Sequence, residues 1–147
     1  MTRPLDGIRV LDFTRHMAGP YGTQLLGDYG ADVIKVESLP HGDGSRQVGT
    51  AVVGDESALF LIWNRGKKSI ALDMRSPEGL EVVHRIAETV DVVFTSYRPG
   101  VADDIGIGYE ALSALNDQIV YVSVTAFGPD GPLAPYPCLL YTSPSPR

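Results

Sequence analysis

The stretch of sequence that decides the fold is residues 21–37, YGTQLLGDYGADVIKVE, where a helical pattern gives way to a strand. Tyr21, Leu25 and Tyr29 recur at a spacing that places them on one face of a helix, and the glycine after Tyr29 ends it. Residues 32–37 are rich in β-branched side chains and predict a strand. A helix followed at once by a strand is typical of a crossover unit in an α/β fold.

The same alternation continues on both sides of this stretch. Strands are predicted at residues 8–13, 69–72, 91–95 and 118–125, and helices at residues 57–63, 77–90 and 109–115. Residues 33–34 and 92–94 are continuous apolar runs, which indicates a sheet that is covered on both faces. We therefore predict an α/β fold with a mainly parallel sheet and helices on both faces.

The helix predicted at residues 77–90 has the clearest local signals. Ser76 is a favourable N-cap, Pro77 follows at the first helical position, and an acidic residue stands in the first turn. Val83 and Ala87 belong to an apolar stripe at helical spacing. Residues 39–54 contain a proline and four glycines, and we predict a loop there.

Composition narrows the class of protein. The chain has 147 residues, of which 44% are hydrophobic and 20% charged, as expected for one domain that folds without disulfides or structural metal. A net charge of −6 argues against nucleic acid or an anionic membrane as a partner. No apolar run approaches the ~20 residues that span a bilayer. The first residues lack an apolar signal region, and we expect a cytoplasmic location.

Candidate binding residues lie where the predicted strands end, because open parallel sheets bind ligands at the carboxyl ends of their strands. Gly19 precedes a helix start that favours an anion, although the spacing alone favours a plain strand-to-helix turn. Tyr97 and Arg98 could stack on a base and bind a phosphate, or form the tip of a loop. The spacing of histidines, cysteine and acidic residues gives no metal site, and no nucleophile is identifiable.

Positive charge is concentrated in one short segment of this acidic chain. Arg65, Lys67, Lys68 and Arg75 fall within eleven residues. Such a patch could hold the phosphates of a nucleotide-like ligand, or could be a solvated run of charges. The segment lacks the spacing of a phosphate-binding P-loop and precedes a strand rather than a helix.

Several blocks of sequence together resemble the family III CoA-transferases. The blocks are residues 4–12, 18–20, 26–37, 64–73, 97–100 and 127–132. This family includes the formyl-CoA:oxalate and carnitine CoA-transferases and the α-methylacyl-CoA racemases. The resemblance runs in order from Pro4 to Pro137, which makes it more specific than any single motif.

The resemblance implies a Rossmann-like large domain in an interlocked homodimer. It also implies that an aspartate attacks an acyl-CoA thioester, and that CoA then reaches a small carboxylic acid through a mixed anhydride and an enzyme thioester. CoA is thus a substrate, and no other cofactor is expected. In the racemases, a histidine and an acid instead exchange the α-proton of the acyl group.

Carried onto this sequence, the resemblance implies nine residues of the CoA site. They are Met17, Ala18, Leu72, Asp73, Met74, Arg75, Ser96, Tyr97 and Arg98. Two positions depart from the family pattern: Ser38 stands where many members have an arginine, and Asp104 where some have another basic residue.

The last residues depart further from the family. We interpret residues 1–137 as the N-terminal part of the large domain, and residues 138–147, which resemble translated sequencing adapter, as an artefactual tail. The family aspartate would lie beyond this point, so we expect no catalytic residue within the chain and no activity from the chain alone. The alternatives are a racemase fragment, a non-catalytic CoA-binding module, or a chain that does not fold stably.

Overall fold

Five strands form one parallel sheet in the computed structural model, which describes residues 2–136. The strands are β1 Arg9–Phe13, β2 Asp32–Ser38, β5 Lys68–Leu72, β6 Val92–Thr95 and β7 Val120–Ser123. Their order across the sheet is β5-β2-β1-β6-β7, and every pairing is parallel. The predicted α/β class and mainly parallel sheet are confirmed. The predicted tail at 138–147 lies outside the described residues.

Helices connect the parallel strands. They are α1 Ala18–Asp28, α2 Ala58–Asn64, α3 Pro77–Ala87, α4 Val101–Asp104 and α5 Tyr109–Ser113. The predicted start of α3 is confirmed, because the Ser76 hydroxyl accepts a hydrogen bond from the Gly79 amide at 3.0 Å. Within the described part of the chain, no helix is long and apolar enough to cross a membrane.

One predicted loop contains regular structure. Residues 39–54 include a 3-10 helix at Gly44–Gln47 and the strand β3 Val52–Val53, which pairs antiparallel with β4 Glu56–Ser57. The loop prediction is therefore wrong in part. Strands of two residues carry too little periodicity to be recognised from sequence.

The two faces of the sheet differ in chemistry. Leu11 and Phe13 of β1 point to one face and pack with Val83 and Ala87 of α3 in the main hydrophobic core. We call this the apolar face. Asp12, between them in sequence, points to the opposite face and accepts a hydrogen bond from Thr23 of α1 at 2.6 Å. We call this second face, covered by α1, the polar face.

The helix α1 lies on the sheet in an orientation that its apolar pattern does not reveal. Tyr21, Leu25 and Tyr29 do share one face of the helix, but 51%, 37% and 57% of their surface is exposed. The residues that α1 buries include Thr23 and Gln24. The apolar spacing therefore identifies the helix correctly but not the side that meets the sheet.

Candidate functional site

A narrow crevice opens at the carboxyl edge of the sheet, where the strands end. Thr14 and Arg15, Glu37 and Asp43, and Tyr97 are among the residues that line it. The chain runs outward from β1 to β2 and β5, then returns to β6 on the other side of β1. The crevice thus lies at the point where the strand order reverses, which is the usual ligand position in this class of sheet.

The loop that joins β1 to α1 forms the centre of this edge. Asp12 accepts a hydrogen bond from the Thr14 amide at 2.8 Å, and Ser96 accepts one from the Arg15 amide at 2.9 Å. His16 has a φ of 67°, in the left-handed region that residues with a side chain rarely adopt. Gly19 lies so close to Thr14 that a Cβ atom there would overlap its side chain. These contacts hold the loop in one conformation.

A buried ion pair lies directly beneath this loop. The Lys35 ammonium is 2.8 Å from Asp43 Oδ2, and both side chains are 1% exposed. Burial acts to raise the pKa of Asp43, but the Lys35 ammonium and the amides of Ser45 and His16 outweigh it and lower the pKa to about 2. Asp43 is therefore a carboxylate at neutral pH.

A second buried carboxylate stands beside the first. Glu37 accepts hydrogen bonds from Arg46 at 2.7 and 2.8 Å and from the Asp43 amide at 2.8 Å. Burial opposes ionisation of Glu37, yet Arg46, Ser69 and the Asp43 amide together lower its pKa to about 2. The guanidinium of Arg46 also lies 3.6 Å from the centre of the Phe60 ring. This cluster anchors the segment that follows β2.

The predicted cationic patch does not exist as a surface in the folded protein. Arg65 pairs with Asp28 at 2.6 Å, and Lys68 pairs with Asp32 at 2.6 Å. Both pairs lie at the amino edge of the sheet, since Lys68 and Asp32 begin their strands. A groove near this edge is lined in part by Arg65 and Asp28, which largely neutralise each other.

The side chain of Lys67 is not part of a surface patch, because it is buried on the polar face. Its ammonium is 2.9 Å from Asp12 Oδ2 and bonds to Thr23 and Asn64. Burial lowers the pKa of Lys67 from its ordinary value, and the Asp12 carboxylate opposes that shift. Only Arg75 of the predicted patch lies at the carboxyl edge. The patch prediction is wrong because residues close in sequence lie far apart in space here: β5 runs across the sheet, so the residues before and after it lie at opposite edges.

Three arginines remain available at the carboxyl edge. Within residues 2–136, ion pairs engage seven lysines and arginines, but none engages Arg15, Arg75 or Arg98. All three are exposed, and they follow β1, β5 and β6. This edge is therefore able to attract an anion of extended shape.

The nine predicted site residues fall into three segments at this edge. Met17 and Ala18 begin α1, residues 72–75 join β5 to α3, and residues 96–98 follow β6. The first and third segments meet through the hydrogen bond between Arg15 and Ser96. The second segment lies two strands from β1, which is about 10 Å. The side chain of Met74 is buried in the core and is therefore not part of the surface at this edge.

Two of the three histidines, His84 and His16, contact different parts of the structure. The His84 ring donates through Nε2 to the Gly106 carbonyl at 2.8 Å and thus ties α3 to the turn after α4. The His16 ring packs on Gly44 and stays exposed. Among residues 2–136, no group of histidine, cysteine and acidic side chains is arranged to hold a metal ion.

Sequence reasoning missed the buried charges at this edge. Lys35 and Glu37 occupy alternate positions in a strand that is otherwise apolar and central to the sheet. Charged side chains are almost never fully buried without a partner, so their placement in such a strand was a usable signal. The partners Asp43 and Arg46 come from the following loop and were not identifiable from spacing.

Comparisons with known proteins agree with this architecture. The sequence profile described as CoA-transferase family III matches residues 5–142. Succinyl-CoA:glutarate CoA-transferase of Mus musculus is 44% identical over 132 residues, which cover 90% of this chain and 30% of that protein. Acetyl-CoA:oxalate CoA-transferase of Acetobacter aceti is 42% identical over 134 residues, covering 91% of this chain and 34% of that protein.

A solved structure supports the same relationship. A CAIB/BAIF family protein from Brucella suis superimposes with a TM-score of 0.87 and 44% identity, over 94% of this chain and 37% of that one. The chain spans about a third of the length of the curated relatives it matches. From the profile match across nearly all its residues, the chain belongs to CoA-transferase family III.

Proposed function

We propose that this protein transfers CoA between an acyl-CoA and a carboxylic acid, and that residues 2–136 supply part of the CoA site. The observation that carries the proposal is that three of the four exposed, unpaired arginines among the described residues lie at the carboxyl edge of the sheet. CoA carries a diphosphate and a ribose phosphate, which arginine binds with paired hydrogen bonds. Relatives that carry the names of CoA-transferases support the same activity.

The proposed contacts extend along the edge. Arg75 and Arg98 bind phosphates, and the Tyr97 ring, which is partly buried beside the crevice, packs against the adenine or the pantetheine arm. Met17 and Ala18 present backbone amides at the start of α1, an eleven-residue helix. Leu72, Asp73 and Ser96 complete the surface.

The chemistry of transfer needs a free carboxylate. Asp12, Glu37 and Asp43 are all buried and hydrogen-bonded to cations, so none is available as a nucleophile. We propose that the aspartate nucleophile lies outside residues 2–136. Its oxygen bonds to the acyl carbon as the carbon–sulfur bond breaks and CoA leaves as thiolate. The thiolate then attacks the aspartyl carbonyl, which releases the donor acid and leaves an aspartyl thioester. The acceptor carboxylate attacks this thioester and expels CoA as thiolate, which forms a second anhydride. The thiolate finally attacks the acceptor carbonyl, which gives the new acyl-CoA and frees the aspartate.

A titration with CoA tests the proposed site. Replacing Arg98 with alanine is expected to weaken CoA binding roughly tenfold, because a charged hydrogen bond to phosphate is lost. Arg85→Ala is the matched control, since Arg85 is also exposed and unpaired within residues 2–136 but lies in the last turn of α3. Equal affinity of the wild-type chain and Arg98→Ala would contradict the proposal.

Assays of turnover test the placement of the nucleophile and the racemase alternative. The chain is mixed with an acyl-CoA and a carboxylic acid, and transfer of CoA is followed by mass. Transfer by the chain would contradict a nucleophile outside residues 2–136, and exchange of the α-proton with heavy water, without transfer, favours the racemase. Binding without either reaction is the expected result, and it also fits a non-catalytic CoA-binding module. A broad, non-cooperative melt indicates a chain that does not fold stably. The interlocked dimer and the cytoplasmic location stay predictions.

A further inference from the structure

The loop that joins β1 to α1 adopts a conformation that it does not hold by itself. His16, with φ of 67°, is the only residue other than glycine in the left-handed region among residues 2–136. Such a backbone persists only where the surrounding structure holds it. The residues directly after it, Met17 and Ala18, belong to the proposed CoA site. The conformation at His16 therefore decides where those two residues lie.

One buried ion pair holds this loop in addition to the hydrogen bonds to Asp12 and Ser96. Lys35 Nζ donates to the Thr14 carbonyl at 2.7 Å, and Asp43 Oδ1 accepts from the His16 amide at 3.1 Å. Lys35 and Asp43 are bound to each other at 2.8 Å. The pair thus holds the backbone on both sides of Arg15, through one carbonyl and one amide.

The same pair links two loops of the crevice. Asp43 Oδ1 also accepts hydrogen bonds from the Ser45 amide at 2.9 Å and the Ser45 hydroxyl at 3.0 Å, and so caps the 3-10 helix that follows β2. The Asp43 amide in turn donates to Glu37. The position of the loop after β1 is therefore coupled to the loop after β2, on the other wall of the crevice.

Stability alone does not account for this arrangement. A buried ion pair contributes little net stability compared with apolar side chains of similar volume. The apolar face of the same sheet shows that this chain has such side chains where only packing is required. The ion pair also forms hydrogen bonds with two backbone groups of the loop, the Thr14 carbonyl and the His16 amide.

We propose that Lys35 and Asp43 are positioning residues that set the β1–α1 loop in its binding conformation for CoA. They act through the loop backbone and do not touch CoA themselves. The inference rests on the proposed function, because it takes Met17 and Ala18 to be CoA contacts. It adds two residues, neither of them in the predicted site, to those on which CoA affinity depends.

The test compares Lys35→Met with the wild-type chain in two measurements. Lys35→Met keeps an unbranched side chain but removes the donor to Thr14 and the charge that faces Asp43. In Lys35→Met, the rate of hydrogen exchange at the His16 amide, relative to the wild-type chain, is expected to rise about tenfold more than the rate at the Leu11 amide in β1. CoA is expected to bind roughly tenfold more weakly. Asp43→Asn, which keeps an acceptor for His16, is expected to have a smaller effect on both.

A core variant separates positioning from general loss of stability. Leu112 is fully buried in the main core and belongs to α5, so Leu112→Ala weakens folding without touching the loop. At a temperature where it is fully folded, it should keep wild-type CoA affinity. Uniform acceleration of exchange in Lys35→Met, or CoA affinity equal to that of Leu112→Ala, would overturn the positioning role. If the wild-type chain itself fails to bind CoA, the proposed function fails and the assignment falls with it, whatever the exchange pattern.

Discussion

The two faces of the sheet are built from different interactions. The apolar face joins Leu11 and Phe13 to the α3 stripe through close packing alone. The polar face, only one residue away along β1, buries Asp12 against Lys67 and Thr23. Packing is nearly insensitive to direction, whereas buried hydrogen bonds fix particular atoms. The comparison teaches that one face is held by packing, whereas the other also bonds particular backbone groups of the loops at the carboxyl edge, such as the Thr14 carbonyl.

The largest expected effect is on the apolar face. Phe13 is fully buried, so Phe13→Ala is expected to lower the free energy of unfolding by about 3–5 kcal/mol. Denaturant unfolding of the two proteins measures this difference. Leu115→Ala is the control, because 40% of Leu115 is exposed and less buried surface is lost there than at the fully buried Phe13. A loss below about 1 kcal/mol at Phe13 would mean that the apolar face is not the main source of stability.

A slightly smaller effect is expected on the polar face. Lys67→Met leaves the Asp12 carboxylate buried without its cation, which is expected to cost about 3 kcal/mol of folding stability. Lys68→Met is matched to it in sequence, but the pair between Lys68 and Asp32 is exposed and should contribute less than about 1 kcal/mol. Chemical denaturation of both variants measures the difference. Equal losses of folding stability in the two variants would contradict the expectation that the buried ion pair contributes more than the exposed one.

The dependence of stability on pH distinguishes the faces without a large change in packing. The pKa values of Glu37 and Asp43 are lowered from 4.5 and 3.8 to about 2 in the folded protein. Each ionised carboxylate therefore stabilises the fold at neutral pH, by roughly 2–3.5 kcal/mol. That stability is present above the ordinary pKa and is lost as the pH falls from about 4.5 through about 2.

Unfolding measured between pH 7 and pH 2.5 checks this expectation. The wild-type chain should lose stability below about pH 4.5, and the double variant Glu37→Gln with Asp43→Asn should show a flatter profile. Phe13→Ala should lower stability by a similar amount at every pH, since packing on the apolar face involves no ionisation of Phe13. A wild-type profile as flat as that of the double variant would show that these carboxylates ionise equally in the unfolded chain.

Much of the fold was predictable because its signals are local. The α3 helix combines an N-cap, a proline and an apolar stripe, all of which depend on neighbours along the chain. The placement of the segments after β1, β5 and β6 at one edge also followed, since parallel strands bring their carboxyl ends together. Family resemblance added CoA as the expected ligand, which the residue pattern alone left open.

The errors have a common physical origin. The stripe of Tyr21, Leu25 and Tyr29 identified a helix but not its exposed side, and the run from Arg65 to Arg75 looked like a single patch. Both questions depend on contacts between residues that are distant in sequence. Asp12 and Lys67, which are paired in the fold, are separated by 55 residues.

The sequence by itself determined the alternation of strands and helices, the α/β class and the resemblance to family III CoA-transferases, because these depend on local periodicity and on the order of motifs. Only the tertiary structure decided which charges remain free to meet a ligand. Lys35 and Lys67 are buried in ion pairs, while Arg75 and Arg98 stay exposed at the carboxyl edge. The physical reason is that a charge is neutralised by its neighbour in space, and the crossing order of the strands chooses that neighbour.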